Sequence, residues 1–184
     1  MEGFIRTWSG KHIKYDEFSV EDVDILDIAH ALSMVCRFGG HVPRHYSVAE
    51  HCLLVAQLVP DELKLAALLH DAAEAYVGDM VSPLKRLLPH YRAMETNIQF
   101  KIDSVFSAHH IGEATQVIHE ADMKALYIEA RSFYGENEIE AWGFAPEIVE
   151  WGRGSSRDVL CYAPSPHDIE KQFMNAFLAY GGVK

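Results

Sequence analysis

The sequence has few cysteines and no excess of basic residues. Cys36, Cys52 and Cys161 are odd in number, and none belongs to a Cys-x-x-Cys pair. This argues against both a disulfide framework and a cysteine-based zinc site. Lys and Arg total 16 against 27 Asp and Glu, a formal net charge of −11. With no basic stripe to follow a phosphate backbone, nucleic acid is not expected as a partner.

Long apolar runs are also missing. The opening segment, MEGFIRTWSGKHIKYDEF, has no apolar stretch of the kind found in signal peptides, and no later run is long enough to cross a bilayer. We therefore expect no membrane partner and a cytoplasmic location. The 184 residues, 49% of them hydrophobic, suffice for one domain with its own core, spanning 1–184.

The hydrophobic pattern predicts an all-α fold with a small N-terminal β-hairpin. Alternation in FIRTW and KHIKY, on either side of Ser9-Gly10, predicts the hairpin. Ser47 and Glu50 form a capping-box pattern at the start of a helix. Segment 136–166 is expected to be mostly loop, with a short helix near 146–151. The predicted longer helices cover 25–38, 47–60, 61–76, 91–110, 113–134 and 168–180.

Four residues of metal-ligand type lie on apolar faces of these helices. His51 and His70 share a face with apolar residues at helical spacing, and Asp122 does so on a third helix. Asp71 is only about 100° around the helix from His70, so both side chains can converge on one point. Each histidine alone is compatible with a hydrogen-bonded core residue. Burying the carboxylates without a partner, however, would cost several kcal/mol each.

A divalent cation would remove this cost and would use the imidazoles at the same time. The mixed nitrogen and oxygen set suits Zn²⁺, Mn²⁺, Co²⁺ or Fe²⁺ better than Ca²⁺. The sequence therefore predicts one divalent transition metal bound by His51, His70, Asp71 and Asp122. Such a metal can lower the pKa of a coordinated water toward about 7 and so provide a nucleophile at neutral pH.

Four motifs in order, YSVAEH, LLHDAAEAYVGD, SPLKRLL and EAD, resemble those of HD-domain phosphohydrolases. The sequence is most similar to the bacterial and phage branch of small 5′-deoxynucleotidases and related deoxynucleoside triphosphohydrolases. The likeness extends from the N-terminal hairpin through Asp122. It implies a compact HD-domain helical bundle, a homo-oligomer and the same four metal ligands.

The resemblance also implies roles for residues around the metal. Arg37, before the first ligand, would bind the substrate phosphate, and Lys85 would lie near the phosphates. Glu74 and Asp79 match two acidic residues implicated in catalysis. Glu74 follows His70 by one turn, so it could orient or deprotonate the attacking water. Taken alone, Arg37, Glu74 and Lys85 could equally be ordinary helix-end or surface charges.

Two further residues are predicted to contact the substrate. Phe38 occupies a position where some relatives have Trp near the 2′ position of the sugar, so strict rejection of ribonucleotides is not implied. Arg44, in the loop before His51, is expected to face the same pocket.

The favoured function is removal of the 5′-phosphate from 2′-deoxynucleoside monophosphates. The alternative within the class is a triphosphohydrolase, acting for example on dATP and releasing triphosphate, with an additional Mg²⁺ on the substrate. Positive charges at the pocket mouth would favour that longer phosphate chain. From a different class, the chain could be a non-catalytic nucleotide- or metal-sensing module, although a sensor needs no acid such as Glu74.

Overall fold

The computed structural model describes residues 3–109 and 112–183 and confirms the mostly helical fold with an N-terminal hairpin. Strands β1 (Ile5–Arg6) and β2 (His12–Ile13) pair antiparallel, with Ile5 opposite Ile13. The helices are α1 (Ile25–Met34), α2 (Val48–Ala56), α3 (Lys64–Leu69), α4 (Glu74–Val77), α5 (Ser82–Lys85), α6 (Pro89–Phe106), α7 (Glu113–Tyr134), α8 (Glu136–Ile139), α9 (Pro146–Arg153) and α10 (Pro166–Ala179).

The main core lies between α1, α2, α3 and α10. Helix α1 packs on α10, and α2 packs on α3 and α7. Fully buried side chains such as Leu32, Leu68 and Phe173 fill the space between them. Because α2, α3 and α7 share this core, the polar residues on their inward faces are brought to one place.

A smaller apolar cluster covers the outer side of α7. It is formed by Tyr127 with Ala130, Ile139 and Ile148. A Cβ atom at Gly152 would lie 2.1 Å from the Tyr127 ring, so only glycine allows α9 to approach this closely. The cluster holds α8 and α9 against α7.

The predicted helix 25–38 is too long. Helix α1 ends at Met34, and the next residues are extended: the N–H of Arg37 donates to the carbonyl of Tyr46, and Cys36 and Ser47 form an antiparallel bridge. The helical stripe continues through Cys36 in the sequence, but pairing with a distant segment provides the backbone hydrogen bonds here. This pairing fixes the backbone position from which the Arg37 side chain extends.

The predicted helix 61–76 is also wrong in one respect, because it is interrupted. Helix α3 ends at Leu69, α4 begins at Glu74, and the four residues between them form a turn. A 3₁₀ turn over Asp61–Leu63 precedes α3, and α4 ends at Gly78, whose φ of 79° is unfavourable for other residues. The predicted metal ligands His70 and Asp71 lie in this interruption.

The other predicted helices agree with the structure within a few residues. Helix α6 starts slightly earlier than expected and ends at Phe106, before the predicted end, because Ser107 adopts a left-handed conformation; His110 lies outside the described residues. Segment 136–166 is not mostly loop as predicted, because it contains α8 and two 3₁₀ turns besides the expected helix α9. Among the described residues, no helix combines the length and apolar character needed to span a membrane.

Candidate metal centre

The turn between α3 and α4 is held open by a side chain from α6. In a continuous helix the N–H of Ala73 would donate to the carbonyl of Leu69. Instead, this N–H donates to Oε1 of Gln99 at 3.0 Å, and Nε2 of Gln99 donates to the Leu69 carbonyl at 2.8 Å. The Gln99 amide thus replaces one helical hydrogen bond with two, a recognised cause of helix interruption.

His70 is oriented by a local hydrogen bond. Its Nδ1 lies 2.8 Å from the carbonyl oxygen of Ala67, and a carbonyl can only accept, so Nδ1 carries the proton. Its Nε2 is buried and has no hydrogen-bond partner in the part of the chain that the structure describes. In the neutral ring, Nε2 is therefore the nitrogen that can bind a metal ion.

His51 comes from α2, which begins with the predicted capping box of Ser47 and Glu50. The imidazole is fully buried, and its Nδ1 lies 2.6 Å from Oε1 of Glu129. Its Nε2 also lacks a hydrogen-bond partner among the described residues, although Asp122 Oδ1 is 3.1 Å away. A second imidazole nitrogen is thus presented close to carboxylate oxygens.

The ligand atoms of His51, His70 and Asp71 lie within 4.8 Å of one another. Ligands at about 2.1 Å from one cation are separated by roughly 3–4 Å, so only small movements would let all three bind one ion. Asp122 is outside this group of three, but its Oδ1 lies 3.1 Å from His51 Nε2. The residues fit a divalent cation, because two buried imidazole nitrogens without hydrogen bonds and two carboxylates are the donors such an ion uses.

As long as no metal ion is bound, contacts with the protonated imidazoles and with Arg37 keep the two aspartates ionised. Burial acts to raise the pKa of Asp71, but His70, His51 and Arg37 outweigh it and hold the pKa well below its usual value. The pKa of Asp122 is likewise lowered, since contact with His51 outweighs burial. Both carboxylates are therefore in the state that binds a cation.

Arg37 reaches the cluster from the extended segment after α1. Its Nη2 donates to Oε2 of Glu129 at 3.1 Å, and its Nη1 lies 3.7 Å from Asp71 Oδ2. Burial acts to lower the pKa of Arg37, but Glu129 and Asp71 raise it above its ordinary value, so the guanidinium stays charged. A permanent positive charge therefore lies beside the predicted ligands.

Phe38 directly follows Arg37 in a left-handed conformation, with φ of 57°. Its ring packs edge-on against Phe133, Tyr134 and Trp142, and the Arg37 guanidinium lies 5.5 Å from its centre. Such a conformation costs free energy in a non-glycine residue and persists only when surrounding contacts hold it. The aromatic contacts provide that support and place Phe38 next to the site.

The two predicted catalytic acids differ in their surroundings. Glu74 is buried; its Oε1 lies 3.4 Å from Lys85 Nζ, and its Oε2 has no hydrogen-bond partner within residues 3–109 and 112–183. Burial, with the charges of Asp71 and Asp79, raises the pKa of Glu74 well above its usual value. Burial also raises the pKa of Asp79, which is partly exposed just past α4.

Lys85 contacts acidic residues on both sides. Its Nζ donates to Oε1 of Glu95 at 2.7 Å besides its contact with Glu74. Hydrogen bonding to Glu95 and the charge of Glu74 outweigh burial and raise the pKa of Lys85. Lys85 is therefore at the predicted site, but its charge is shared between two glutamates.

Arg44 is not brought to the metal ligands. Its Nη2 donates to the carbonyl of Val159 at 2.7 Å and lies 2.9 Å from Glu50 Oε1, while its guanidinium stacks over the ring of Tyr46. Arg44 lines a separate cavity that does not include the predicted ligands. The expectation that it faces the same pocket is not supported, because the loop pairs with α2 and segment 159–161 instead.

A cavity of about 350 Å³ adjoins the cluster. It is bounded by His70, Asp71 and Glu74 on one side and by residues of α6 on the other. The lining residues are His70, Asp71, Ala73, Glu74, Lys85, Glu95, Thr96, Gln99, Phe100 and Asp103. Its volume is in the range of small-molecule sites.

Sequence reasoning missed two residues of this site. Glu129 follows Asp122 by seven residues on α7, so helical spacing places both on one face and could have revealed it. Gln99 left no such signal, because its role depends on where α6 crosses the turn between α3 and α4.

No protein-family model matches the sequence. Similar bacterial proteins include the uncharacterized protein YfdR of Escherichia coli (strain K12), 54% identical over 102 residues, which cover 55% of this chain and 55% of YfdR. The uncharacterized protein RCAP_rcc00048 of Rhodobacter capsulatus is 33% identical over 152 residues, 74% of this chain and 76% of that protein. The chain belongs to the same family as RCAP_rcc00048. Neither relative's name specifies a reaction, ligand or partner, so the likeness carries no function.

Proposed function

We propose that this protein is a metal-dependent phosphohydrolase of the HD-domain type that removes the 5′-phosphate from 2′-deoxynucleoside monophosphates. The proposal rests on one observation, which is that a cluster of potential metal ligands lies next to a guanidinium suited to bind phosphate. The free Nε2 atoms of His51 and His70 lie beside ionised Asp71, and the Arg37 guanidinium is 3.7 Å from that same carboxylate.

A divalent cation held by His51, His70, Asp71 and Asp122 would supply Lewis-acid activation of a water for attack on phosphorus. Each imidazole is oriented by a contact of its Nδ1 atom. In His70 this atom contacts the Ala67 carbonyl, and in His51 it contacts Glu129. Such hydrogen bonds fix the ring orientation and raise the basicity of the ligating nitrogen.

Arg37 is suited to bind the phosphate. One of its terminal nitrogens is held by Glu129, and its Nε is buried without a hydrogen-bond partner in the described part of the chain. A guanidinium offers several N–H donors in a planar fork that matches phosphate oxygens. A phosphate that approaches Arg37 would lie next to Asp71 and hence next to the cation.

Glu74 is suited to accept or orient a proton. Its Oε2 is free of hydrogen bonds within the described residues, and the side chain lines the cavity together with His70 and Asp71. A general base must lie within hydrogen-bond reach of the water it activates. Glu74 lines the cavity beside His70 and Asp71, the side on which such a water would lie.

The charge of the cavity favours a monophosphate over a triphosphate. Asp71, Glu74, Glu95 and Asp103 contribute carboxylates to its lining, and Lys85 is the cation among the lining residues. Lys85 is already paired with two of those glutamates, and Arg44 lies elsewhere. Since like charges repel, a triphosphate would be less favourable in this acidic cavity than a monophosphate, which brings less negative charge. The preference for deoxyribose rests on the family resemblance alone.

The test is a product assay on protein reconstituted with Zn²⁺, Mn²⁺, Co²⁺ or Fe²⁺, with matched dNMP, NMP and dNTP panels. The metal-free protein and the Asp71→Ala variant serve as controls. We expect inorganic phosphate from dNMPs, and the ratio to NMP turnover reports whether Phe38 permits ribose. Triphosphate released from a dNTP would instead establish the triphosphohydrolase alternative. No product with any of the four metals would overturn the hydrolase proposal and favour the sensing module.

A further inference from the structure

Glu129 connects the predicted metal site to the predicted phosphate site. Its carboxylate is fully buried and accepts from three donors. His51 Nδ1 at 2.6 Å and the Tyr46 hydroxyl at 2.9 Å contact Oε1, whereas Arg37 Nη2 at 3.1 Å contacts Oε2. One side chain on α7 thus holds residues from α2 and from the extended segment after α1.

Both oxygens of this carboxylate must act as acceptors. The Arg37 guanidinium has only hydrogen-bond donors, so a donor group in the place of Oε2 would repel it. His51 can either donate or accept through Nδ1, and which it does determines the state of Nε2. With a carboxylate as partner, Nδ1 carries a proton, so in the neutral ring Nε2 is the nitrogen with the lone pair.

We propose that Glu129 is a positioning residue that joins His51 to Arg37, so that one carboxylate sets both the metal-binding tautomer of His51 and the place of the guanidinium. The assignment of Arg37 to phosphate rests on the proposed function. The assignment of His51 to a metal rests on the cluster geometry alone. Glu129 itself is fully buried and is not among the residues that line the cavity, so it acts through His51 and Arg37.

Glu129→Gln tests this coupling because an amide has one acceptor oxygen instead of two. The charged Arg37 is the stronger donor and retains the amide oxygen. The NH₂ group then faces His51 Nδ1, which has to accept, and the proton moves to Nε2, the atom needed for the metal. Removal of Arg37 would release the amide to turn its oxygen toward His51. Glu129→Gln should therefore impair metal binding only while Arg37 is present.

The measurement is the affinity of the metal-free protein for Co²⁺ alone, read from the visible absorption of bound Co²⁺. We expect Glu129→Gln to weaken it about 10–100-fold, as losses of ligand-orienting residues typically do. In an Arg37→Met background, Glu129→Gln should weaken Co²⁺ binding far less than it does in the wild type. An effect that depends in this way on a second residue is the signature of a coupled pair. Tyr46→Phe is the matched control, since it removes a donor from the same carboxylate but leaves both acceptor oxygens in place.

A second measurement uses the wild-type protein, so it does not depend on the folding of any variant. Long-range ¹H–¹⁵N spectra of the Zn²⁺-loaded protein report which nitrogen of His51 bears hydrogen, and we expect Nδ1. Hydrogen on Nε2 would overturn the proposal. The proposal would also be overturned if Glu129→Gln left the Co²⁺ affinity unchanged, or if adding Arg37→Met did not reduce the effect of Glu129→Gln on that affinity. None of these readouts uses a nucleotide, so a failure of the proposed hydrolase activity would be recognised separately.

Discussion

The backbone N–H of Ala73 donates to the side-chain oxygen of Gln99 at 3.0 Å, a hydrogen bond that a continuous helix would have directed to Leu69. This hydrogen bond interrupts the helix in the segment that contains the adjacent predicted ligands His70 and Asp71. In the resulting turn the Glu74 N–H donates to the Asp71 carbonyl, and the ligand atoms of His70 and Asp71 both lie within 4.8 Å of that of His51.

Replacement of Gln99 should damage both the fold and the metal site. In Gln99→Leu, the buried N–H of Ala73 would lose its acceptor, at a cost of about 1–3 kcal/mol in the free energy of unfolding. We also expect weaker Co²⁺ binding, because the two contacts with Gln99 that hold the turn containing His70 and Asp71 would be lost. Urea unfolding and Co²⁺ titration measure the two effects. Gln116→Leu, at an exposed position of α7, is the control, and equal behaviour of the two variants would refute the role of Gln99.

Loss of Asp71 should remove the metal without unfolding the protein. Asp71→Ala deletes a carboxylate next to both free imidazole nitrogens, so we expect less than stoichiometric metal by elemental analysis after reconstitution and desalting. Asp61→Ala, which removes an exposed carboxylate that contacts Lys64 in the 3₁₀ turn before α3, should retain full metal content. Stoichiometric metal in Asp71→Ala would show that this residue is not a ligand.

Glu74 should be required for turnover and not for metal. Its free Oε2 lines the cavity, whereas the ligand cluster consists of other residues. Glu74→Gln should therefore bind metal normally and lose about 10²–10⁴-fold in kcat for a dNMP, the range typical of general acid–base groups. Glu62→Gln, an exposed glutamate before α3, is the matched control. Wild-type turnover in Glu74→Gln would remove Glu74 from the mechanism.

Arg37 should be required for phosphate binding through its planar fork. Arg37→Lys keeps the positive charge, but a single ammonium cannot contact Glu129 and a phosphate with the same geometry. We expect at least about a tenfold rise in KM for a dNMP, with metal content unchanged. Steady-state kinetics and elemental analysis on the same preparation separate the two effects. Arg92→Lys, on the exposed side of α6, should leave KM as in the wild type; an equal change in both variants would contradict a specific role for Arg37.

Sequence alone determined the helical class, the hairpin, and the helix faces on which His51 and Asp122 lie. These features follow from local rules, because apolar spacing and caps act within a few residues. The sequence also brought Arg37 and Glu74 into consideration, through motifs whose spacing resembles a known family. Their chemical roles are still predictions.

Tertiary structure decided what those rules cannot reach. The end of α1 at Met34 depends on pairing with the segment around Tyr46, and the interruption at His70 depends on Gln99 from α6. The buried carboxylate of Glu129 acquires its role only when α7 packs on α2. Helical periodicity tells which residues share a face, but not which element that face will meet. Contacts between distant segments are therefore what distinguish the site from four polar residues on apolar helices.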